Sequence, residues 1–256
     1  MNKKKETVWS IILIKNILIL NFIFINMIQL KNKKVLIIVA HPDDETIGCG
    51  GLIVKLKKKK SKIFSMYLSD GRSARDKKEN NNSLVLKESS EAAKVLGFKW
   101  LNDFCGKFED QKLDKQSLLS IIKIIEKAKN KIKPDLIITH SKSDLNRDHR
   151  IVYEAVVTAF RPKHKETWSQ ILSFEIASAT DYGNSLFEKK FDPNYFVNIK
   201  QEWSKKEKAL KAYKSEMLKF PNSRSIKGIK TLNQLRGVQN GIDMAEAFEL
   251  VKFITR

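Results

Sequence analysis

Cysteine is almost absent from this chain: two residues in 256, Cys49 and Cys105, with no CxxC pair. No disulfide framework is implied, and a reducing compartment is the simpler setting. Neither thiol has a metal-ligand spacing. Cys49, set between Gly48 and Gly50, reads as a small packing residue rather than a nucleophile. A GxGxxG is also missing after the first predicted strand, and the acidic turn found there instead would repel a pyrophosphate. That argues against a nucleotide-binding oxidoreductase. Internal repeats and low-complexity linkers are absent. No small-residue cleavage site follows the apolar N-terminal stretch, which argues against a cleaved signal peptide.

Acidic residues are in the minority, 29 against 49 lysines and arginines, for a formal net charge of +20. Such a balance points toward nucleic acid, anionic membrane or anionic substrates. Lysine, asparagine and isoleucine are nonetheless abundant along the whole chain, as a skewed base composition of the source produces. The longest lysine run, Lys57 to Lys60, reads as the solvated end of a helix. With no recognition motif and no aromatic–basic stripe, nucleic acid is not expected as a partner. An apolar fraction of 42% and a charged fraction of 30% describe an ordinary globular protein, long enough for a full core.

Two segments are expected, an apolar stretch over residues 1–30 and a single domain over 31–256. Val8 to Leu30 is strongly apolar and follows Lys3-Lys4-Lys5, which resembles a signal anchor or one membrane span of about 20 residues. Lys15, Asn16, Asn21, Asn26 and Gln29 interrupt it, and a lysine near mid-membrane costs a few kcal/mol. Alternatively, Met27 starts an ordinary soluble domain, and the first 26 residues are upstream sequence read through from a wrongly assigned start. The first reading anchors the protein to a membrane through residues 8–30; the second makes it cytoplasmic.

From Lys34 onward, short apolar runs alternate with amphipathic stretches. Val35 to Ala40 reads as a strand buried on both faces, Thr46 to Lys60 as a helix, and Ile63 to Leu68 as the second strand. Asn82 to Leu96 is helical and stops at Gly97. Trp100 to Phe104 reads as a short third strand, Leu118 to Lys131 as a helix, Leu136 to Thr139 as the fourth strand and His149 to Arg161 as the next helix. Further strands are expected at Ile171 to Ile176, Tyr195 to Ile199 and Phe248 to Ile254, with a long helix over Glu202 to Leu218. The alternation implies an α/β fold with a mainly parallel, doubly wound sheet and helices on both faces. Ligands of such sheets bind beyond the carboxyl ends of the strands, where His41, Asp70 and His140 fall.

The first strand runs into His41-Pro42-Asp43-Asp44-Glu45. A histidine and three acids at the end of a buried strand are costly unless something pairs with them, and a divalent cation meets that need. A tight turn lets His41 and Asp44, three apart, aim an imidazole and a carboxylate at one ion, with Asp43 beside it. Catalytic zinc commonly takes three protein ligands and leaves one position for water. His149, in Asp144-Leu145-Asn146-Arg147-Asp148-His149-Arg150, is the best third candidate. Zinc lowers the pKa of its water toward ~7 and a neighbouring carboxylate takes the proton, a role that suits Asp43. The plain alternative is that His41, Asp43 or Asp44 merely caps the following helix.

Ala40-His41-Pro42-Asp43-Asp44-Glu45 resembles the signature of the PIG-L, or LmbE-like, de-N-acetylases. Leu68-Ser69-Asp70-Gly71, the Asp144 to Arg150 segment and the tail from Arg236-Gly237-Val238-Gln239 through Glu249 support the likeness. The resemblance implies a Rossmann-like fold and zinc-dependent hydrolysis of the acetamide of a glucosamine-type sugar. It implies His41, Asp44 and His149 as ligands of Zn2+, or of another divalent metal such as Fe2+. Asp43 is then the general base, with Asp148 next in line. Many members carry a second histidine three residues before the last ligand, where it polarises the amide carbonyl. Here that residue is Asn146, whose amide can donate to an oxyanion but cannot give up a proton; the leaving amine then takes its proton from Asp43 or from another group, for which His140 is a candidate, with a purely structural role at the strand end as its alternative. Arg72, Arg75 and Asp110 are expected to contact substrate, Arg75 more than Arg72, with Glu175 and Thr180 on the opposite wall. The expected mechanism is attack of zinc-bound water on the acetamide carbonyl. The alternative is a non-catalytic sugar-binding or membrane-tethered scaffold of the same fold.

Overall fold

Val35, Ile37 and Val39 face one hydrophobic cluster and Leu36, Ile38 and Ala40 face another, which is why the first strand reads as an unbroken apolar run. A computed structural model describes residues 31–71, 82–186 and 190–255. Residues 1–30, with both readings placed on them, and Arg72 and Arg75 lie outside the described residues. The strands are β1 (Lys34–Val39), β2 (Lys62–Tyr67), β3 (Lys99–Trp100), β4 (Leu136–His140), β5 (Gln170–Phe174), β6 (Tyr195–Asn198) and β7 (Ala245–Phe253). The helices are α1 (Asp44–Lys58), α2 (Asn82–Leu96), α3 (Leu118–Ile132), α4 (Arg147–Ala159), α5 (Thr180–Leu186), α6 (Trp203–Ala212) and α7 (Ile226–Val238).

The sheet order is β3-β2-β1-β4-β5-β7-β6. β1 to β5 pair in parallel, while β7 is antiparallel to both β5 and β6. Leu52 and Leu56 of α1, Leu96 of α2 and Leu210 of α6 cover one face. Ile121 and Ile125 of α3 and Val152 and Val156 of α4 cover the other. The doubly wound, mainly parallel α/β sheet is therefore present as expected. Its winding reverses between β1 and β4, and the carboxyl ends there open the crevice in which such folds bind ligands. No described helix is long and apolar enough to cross a membrane.

Some elements differ from the sequence reading. The third strand shrinks to two residues, and Asn102–Phe104 forms a 3-10 turn instead. The long helix expected over Glu202 to Leu218 ends at Ala212, where Tyr213 turns inward and its hydroxyl donates to Glu45 Oε1 at 3.0 Å. α7 has no counterpart in that reading. Its buried residues are Ile229, Asn233 and Gly237, a stripe with a single apolar member, so its periodicity is faint.

α1 carries the acidic turn and is broken at Cys49 (φ −141°, ψ 22°). The N–H groups of Gly51 and Leu52 freed by the break donate to the Glu246 carboxylate at 2.6 and 2.7 Å. The Ile47 carbonyl accepts from Lys206 Nζ at 2.8 Å, and Lys206 pairs with Glu246 at 2.7 Å. Both charges are fully buried, so each depends on the other and on the helix ends it satisfies. Glycine is required at Gly48, where a Cβ would stand 2.2 Å from the Phe174 ring.

Candidate metal centre

The chain leaves β1 through a backbone that few side chains tolerate. Asp43 has φ 125°, a conformation that costs about 1–3 kcal/mol unless its surroundings enforce it. Its N–H donates to Glu45 Oε2 at 3.1 Å, and its carbonyl accepts from Thr46 and Ile47 at 2.9 and 3.0 Å. Glu45 is wholly buried and also accepts from the Thr46 hydroxyl at 2.6 Å and from Tyr213. Burial lifts its carboxyl to about 7 against those hydrogen bonds. Asp43 stands at the N-cap of α1 but makes no side-chain cap. Asp44 Oδ2 accepts the His41 N–H at 2.9 Å, which fixes the turn rather than the helix end. Asp43 and Asp44 are thus not spent on capping.

The turn and α4 bring three ligand atoms together. His41 Nδ1 is 3.2 Å from His149 Nε2 and 3.3 Å from Asp44 Oδ2, and His149 Nε2 is 3.4 Å from the same oxygen. Ligands at the usual zinc distances stand about 3.3–3.5 Å apart on a tetrahedron, so this triangle matches one face of such a site. Asp44 Oδ1 and Asp43 Oδ1 are buried without a hydrogen-bond partner. Buried carboxylate oxygens of this kind call for a cation. Burial opposes ionisation of Asp44, but His149 and His140 outweigh it and hold the carboxyl well below its usual range. Burial likewise opposes charging of His41, while Asp110, Asp148 and Asp44 push its pKa well above the ordinary value. A donor set of two imidazoles and one ionised carboxylate fits zinc or a similar divalent ion.

The outer ring nitrogens of both histidines face carboxylates, as metal-bound histidines commonly do. His149 Nδ1 is 3.2 Å from Asp144 Oδ2, and that oxygen accepts the Thr180 hydroxyl at 2.8 Å. His41 Nε2 is 3.0 Å from Asp110 Oδ1 and 3.4 Å from Asp148 Oδ2. Asp148 Oδ1 accepts the Leu113 N–H at 3.2 Å. The structure therefore gathers His41, Asp43, Asp44, Asp110, Asn146, Asp148 and His149 in one place, with Asp110 and Asp148 behind His41. Thr180 is buried against Asp144 and not on a substrate wall. Glu175 makes a two-bonded ion pair with Arg236 at 2.6 and 2.7 Å, tying the end of β5 to α7.

His140 does not face the cleft. It stacks on His149 with centroids 3.9 Å apart, and its Nε2 accepts the Ala40 N–H at 2.9 Å. Burial, helped by His149, lowers its pKa to about 4, so it is neutral near pH 7 and a poor proton donor. Asn146 is the N-cap of α4, its Oδ1 accepting the Asp148 N–H at 2.9 Å. This is why α4 starts two residues ahead of the expected His149.

A cleft of about 320 Å³ opens over the triangle, lined by His41, Asp43, Asp110, Asn146 and His149 and closed by residues that sequence reading missed. Tyr213, Ser215, Glu216, Leu218 and Arg224 come from the segment between α6 and α7, and Glu88 from α2. Arg224 Nη2 donates to Asp43 Oδ2 at 2.5 Å across 181 positions of sequence. Burial raises the Asp43 carboxyl to about 8 even though Arg224 pulls it down. No periodicity or motif marked Arg224; the only local signal is Ser225, whose hydroxyl accepts the Gly228 N–H at 2.9 Å and caps α7.

Comparison with known proteins bears on the family and the fold. The family model described as PIG-L, GlcNAc-PI de-N-acetylase, matches residues 36–160. An Escherichia coli (strain K12) protein described as an uncharacterized deacetylase, YaiS, is 30% identical over 190 residues, covering 72% of this chain and 92% of that protein. The N,N'-diacetylchitobiose deacetylase of Pyrococcus horikoshii superposes with a TM-score of 0.67 at 22% identity, covering 88% of each chain. GalB, a 4-carboxy-2-hydroxymuconate hydratase of Pseudomonas putida KT2440, superposes equally well, with a TM-score of 0.67 at 19% identity, covering 87% of this chain and 98% of that one. At such identities the structural likenesses show a shared fold, and that fold hosts more than one reaction.

Proposed function

This chain belongs to the PIG-L de-N-acetylase family, and on that premise we propose that residues 31–256 form a zinc-dependent hydrolase removing the acetyl group from an N-acetylated amino sugar. The observation that carries the reading is the triangle of His41 Nδ1, Asp44 Oδ2 and His149 Nε2, with sides of 3.2–3.4 Å, beside a buried Asp43. These three residues would hold the metal. Bound there, zinc supplies a Lewis acid that acidifies water and polarises the acetamide carbonyl.

The chain's own groups supply the rest. Burial lifts the Asp43 carboxyl to about 8, and the charge of a metal held beside it, added to that of Arg224, would keep it ionised; Oδ1 then takes a proton from the attacking water and returns it to the departing sugar nitrogen, so that acetate and a free amine leave. Asp144 and Thr180 hold the His149 ring, and Asp110 and Asp148 hold that of His41. The Asn146 side-chain amide donates through Nδ2 to the oxyanion that forms on the carbonyl. A cleft of about 320 Å³ lies near the lower end of the roughly 300–1,000 Å³ usual for ligand sites, which suits one sugar ring with its remaining substituent directed outward. The full-length protein acts in the cytoplasm or at a membrane to which residues 8–30 hold it.

The test is acetate release from N-acetylglucosamine, N,N'-diacetylchitobiose and N-acetylglucosaminyl phosphatidylinositol by the purified protein. Release from at least one is expected, abolished by chelation and restored by added zinc. No release from any of the three by the zinc-loaded protein would overturn the reading.

A non-catalytic sugar-binding scaffold is favoured by one observation, that Asn146 Oδ1 is engaged in capping α4. If Asn146 also serves the oxyanion, Asn146→Ala lowers kcat and kcat/KM together by about a hundredfold or more while metal content stays constant. If it only caps, the same change costs about 1 kcal/mol of stability or loosens the metal and leaves the rate per bound metal intact. Kinetics and metal content on one preparation separate the two.

A further inference from the structure

Asp43 is held by its backbone through the Glu45 carboxylate and the N–H groups of Thr46 and Ile47, and none of these contacts fixes the rotation of its carboxylate plane. One side chain does. Arg224 Nη2 donates to Asp43 Oδ2 at 2.5 Å, while Asp43 Oδ1 is buried and has no hydrogen-bond partner. We propose that Arg224 is a positioning residue that occupies one oxygen of Asp43 and presents the other to the reacting water. The inference rests on Asp43 being the base.

Arg224 is itself well anchored. Its N–H donates to Asn222 Oδ1 at 2.8 Å, its carbonyl accepts from Leu218 at 3.3 Å, and the next residue, Ser225, caps α7. Its side chain is 22% exposed against 1% for Asp43, so the pair is largely shielded from solvent. The guanidinium therefore stands on a fixed platform at the cleft wall and reaches a carboxylate on the far side of the chain's topology. A charge-assisted bond from a planar donor sets direction as well as charge. A lysine at the same place would keep the charge and lose the plane.

The alternative role is structural, a cation that merely neutralises a buried acid; Arg224→Lys, which keeps the charge, distinguishes it, because a mere neutraliser predicts near-native kcat in that variant and such a result overturns the proposal. The full-length, zinc-loaded protein is assayed for acetate release from whichever of the three acetylated sugars above it hydrolyses fastest. Arg224→Ala should keep its metal and its KM while kcat falls about a hundredfold, the scale of a misplaced reacting group. Guanidinium chloride at tens of millimolar, well below denaturing levels, should restore a large part of that kcat. Arg224→Lys should fall between Arg224→Ala and the parent. Arg224→Ala combined with Asp43→Asn should be no slower than Asp43→Asn alone and should not respond to guanidinium. Should Arg224→Ala fail to fold, Arg224→Gln takes its place with the same readouts. Near-native kcat in the variant, or a loss that guanidinium leaves unrestored, overturns the proposal. The two levels of failure are distinguishable: if Asp43→Asn keeps its turnover, the base assignment falls and this inference with it, whereas an inert Asp43→Asn beside a fully active Arg224→Ala removes only the role of Arg224.

Discussion

His149→Ala, Asp44→Ala and His41→Ala should each take the purified protein from about one divalent metal per chain to nearly none, and amide hydrolysis to background. Outer-shell partners of a metal site already contribute about 10–100-fold in affinity, and losing one of three ligands removes more than that. Each change also leaves the remaining buried atoms poorly satisfied: without Asp44, the His41 N–H loses its acceptor at 2.9 Å and the two imidazoles lose the carboxylate oxygen that stands 3.3–3.4 Å away. Metal content by elemental analysis and zinc titration of the apoprotein measure the effect directly. Full occupancy in all three variants would falsify the ligand set. Loss confined to His149→Ala would instead point to His140 with Asp144 and His149, and loss confined to His41→Ala to His41 with Asp110 and Asp148.

Asp43→Asn should keep its metal and lose about a hundred- to ten-thousand-fold in kcat, the range of a general base. The amide has the shape of the carboxylate but cannot accept the water proton near neutral pH. Because Asp43 is not one of the three ligand residues and its side chain does not cap α1, metal affinity should change little. Arg224 loses its anionic partner in this variant, so thermal stability is measured alongside activity. Near-native turnover with zinc bound would transfer the role to another acid. Asp148, next in line, lies on the outer side of His41 and already accepts the Leu113 N–H, so it is poorly placed to take it.

The parts of the site that were legible in the sequence are those built from contiguous residues. His41, Asp43 and Asp44 share one turn, and their position at the end of an apolar strand follows from the pattern of β1. His149 sits one segment beyond another buried strand. The capping role of Asn146 was also open to a sequence reading, since asparagine ahead of a helix is a common N-cap, though that helix was expected to begin at His149. What could not be read was every residue that reaches the cleft from a distant part of the chain. Tyr213 lies where a helix was expected to continue, and Arg224 follows in an irregular segment with no periodicity. Asp110 was read as a sugar contact, and its distance of 3.0 Å from His41 Nε2 depends on how the loop after β3 returns to the sheet. α7 stayed hidden because it buries Asn233 and Gly237 with a single isoleucine.

The sequence by itself determined the alternation of strand and helix, the burial of β1 on both faces and the acidic turn at its end. Those properties arise from local patterning: the period of apolar residues and the need of a buried carboxylate for a counter-charge, neither of which requires knowledge of what lies opposite. Only the tertiary structure decided which atoms meet. The reversal of winding between β1 and β4 sets His149 beside His41 across 108 positions of sequence, and the closing segment before α7 sets Arg224 against Asp43. The physical reason is that a donor–acceptor contact needs agreement within a few tenths of an ångström, and at such sequence separations that agreement comes from the packing of whole helices on the sheet.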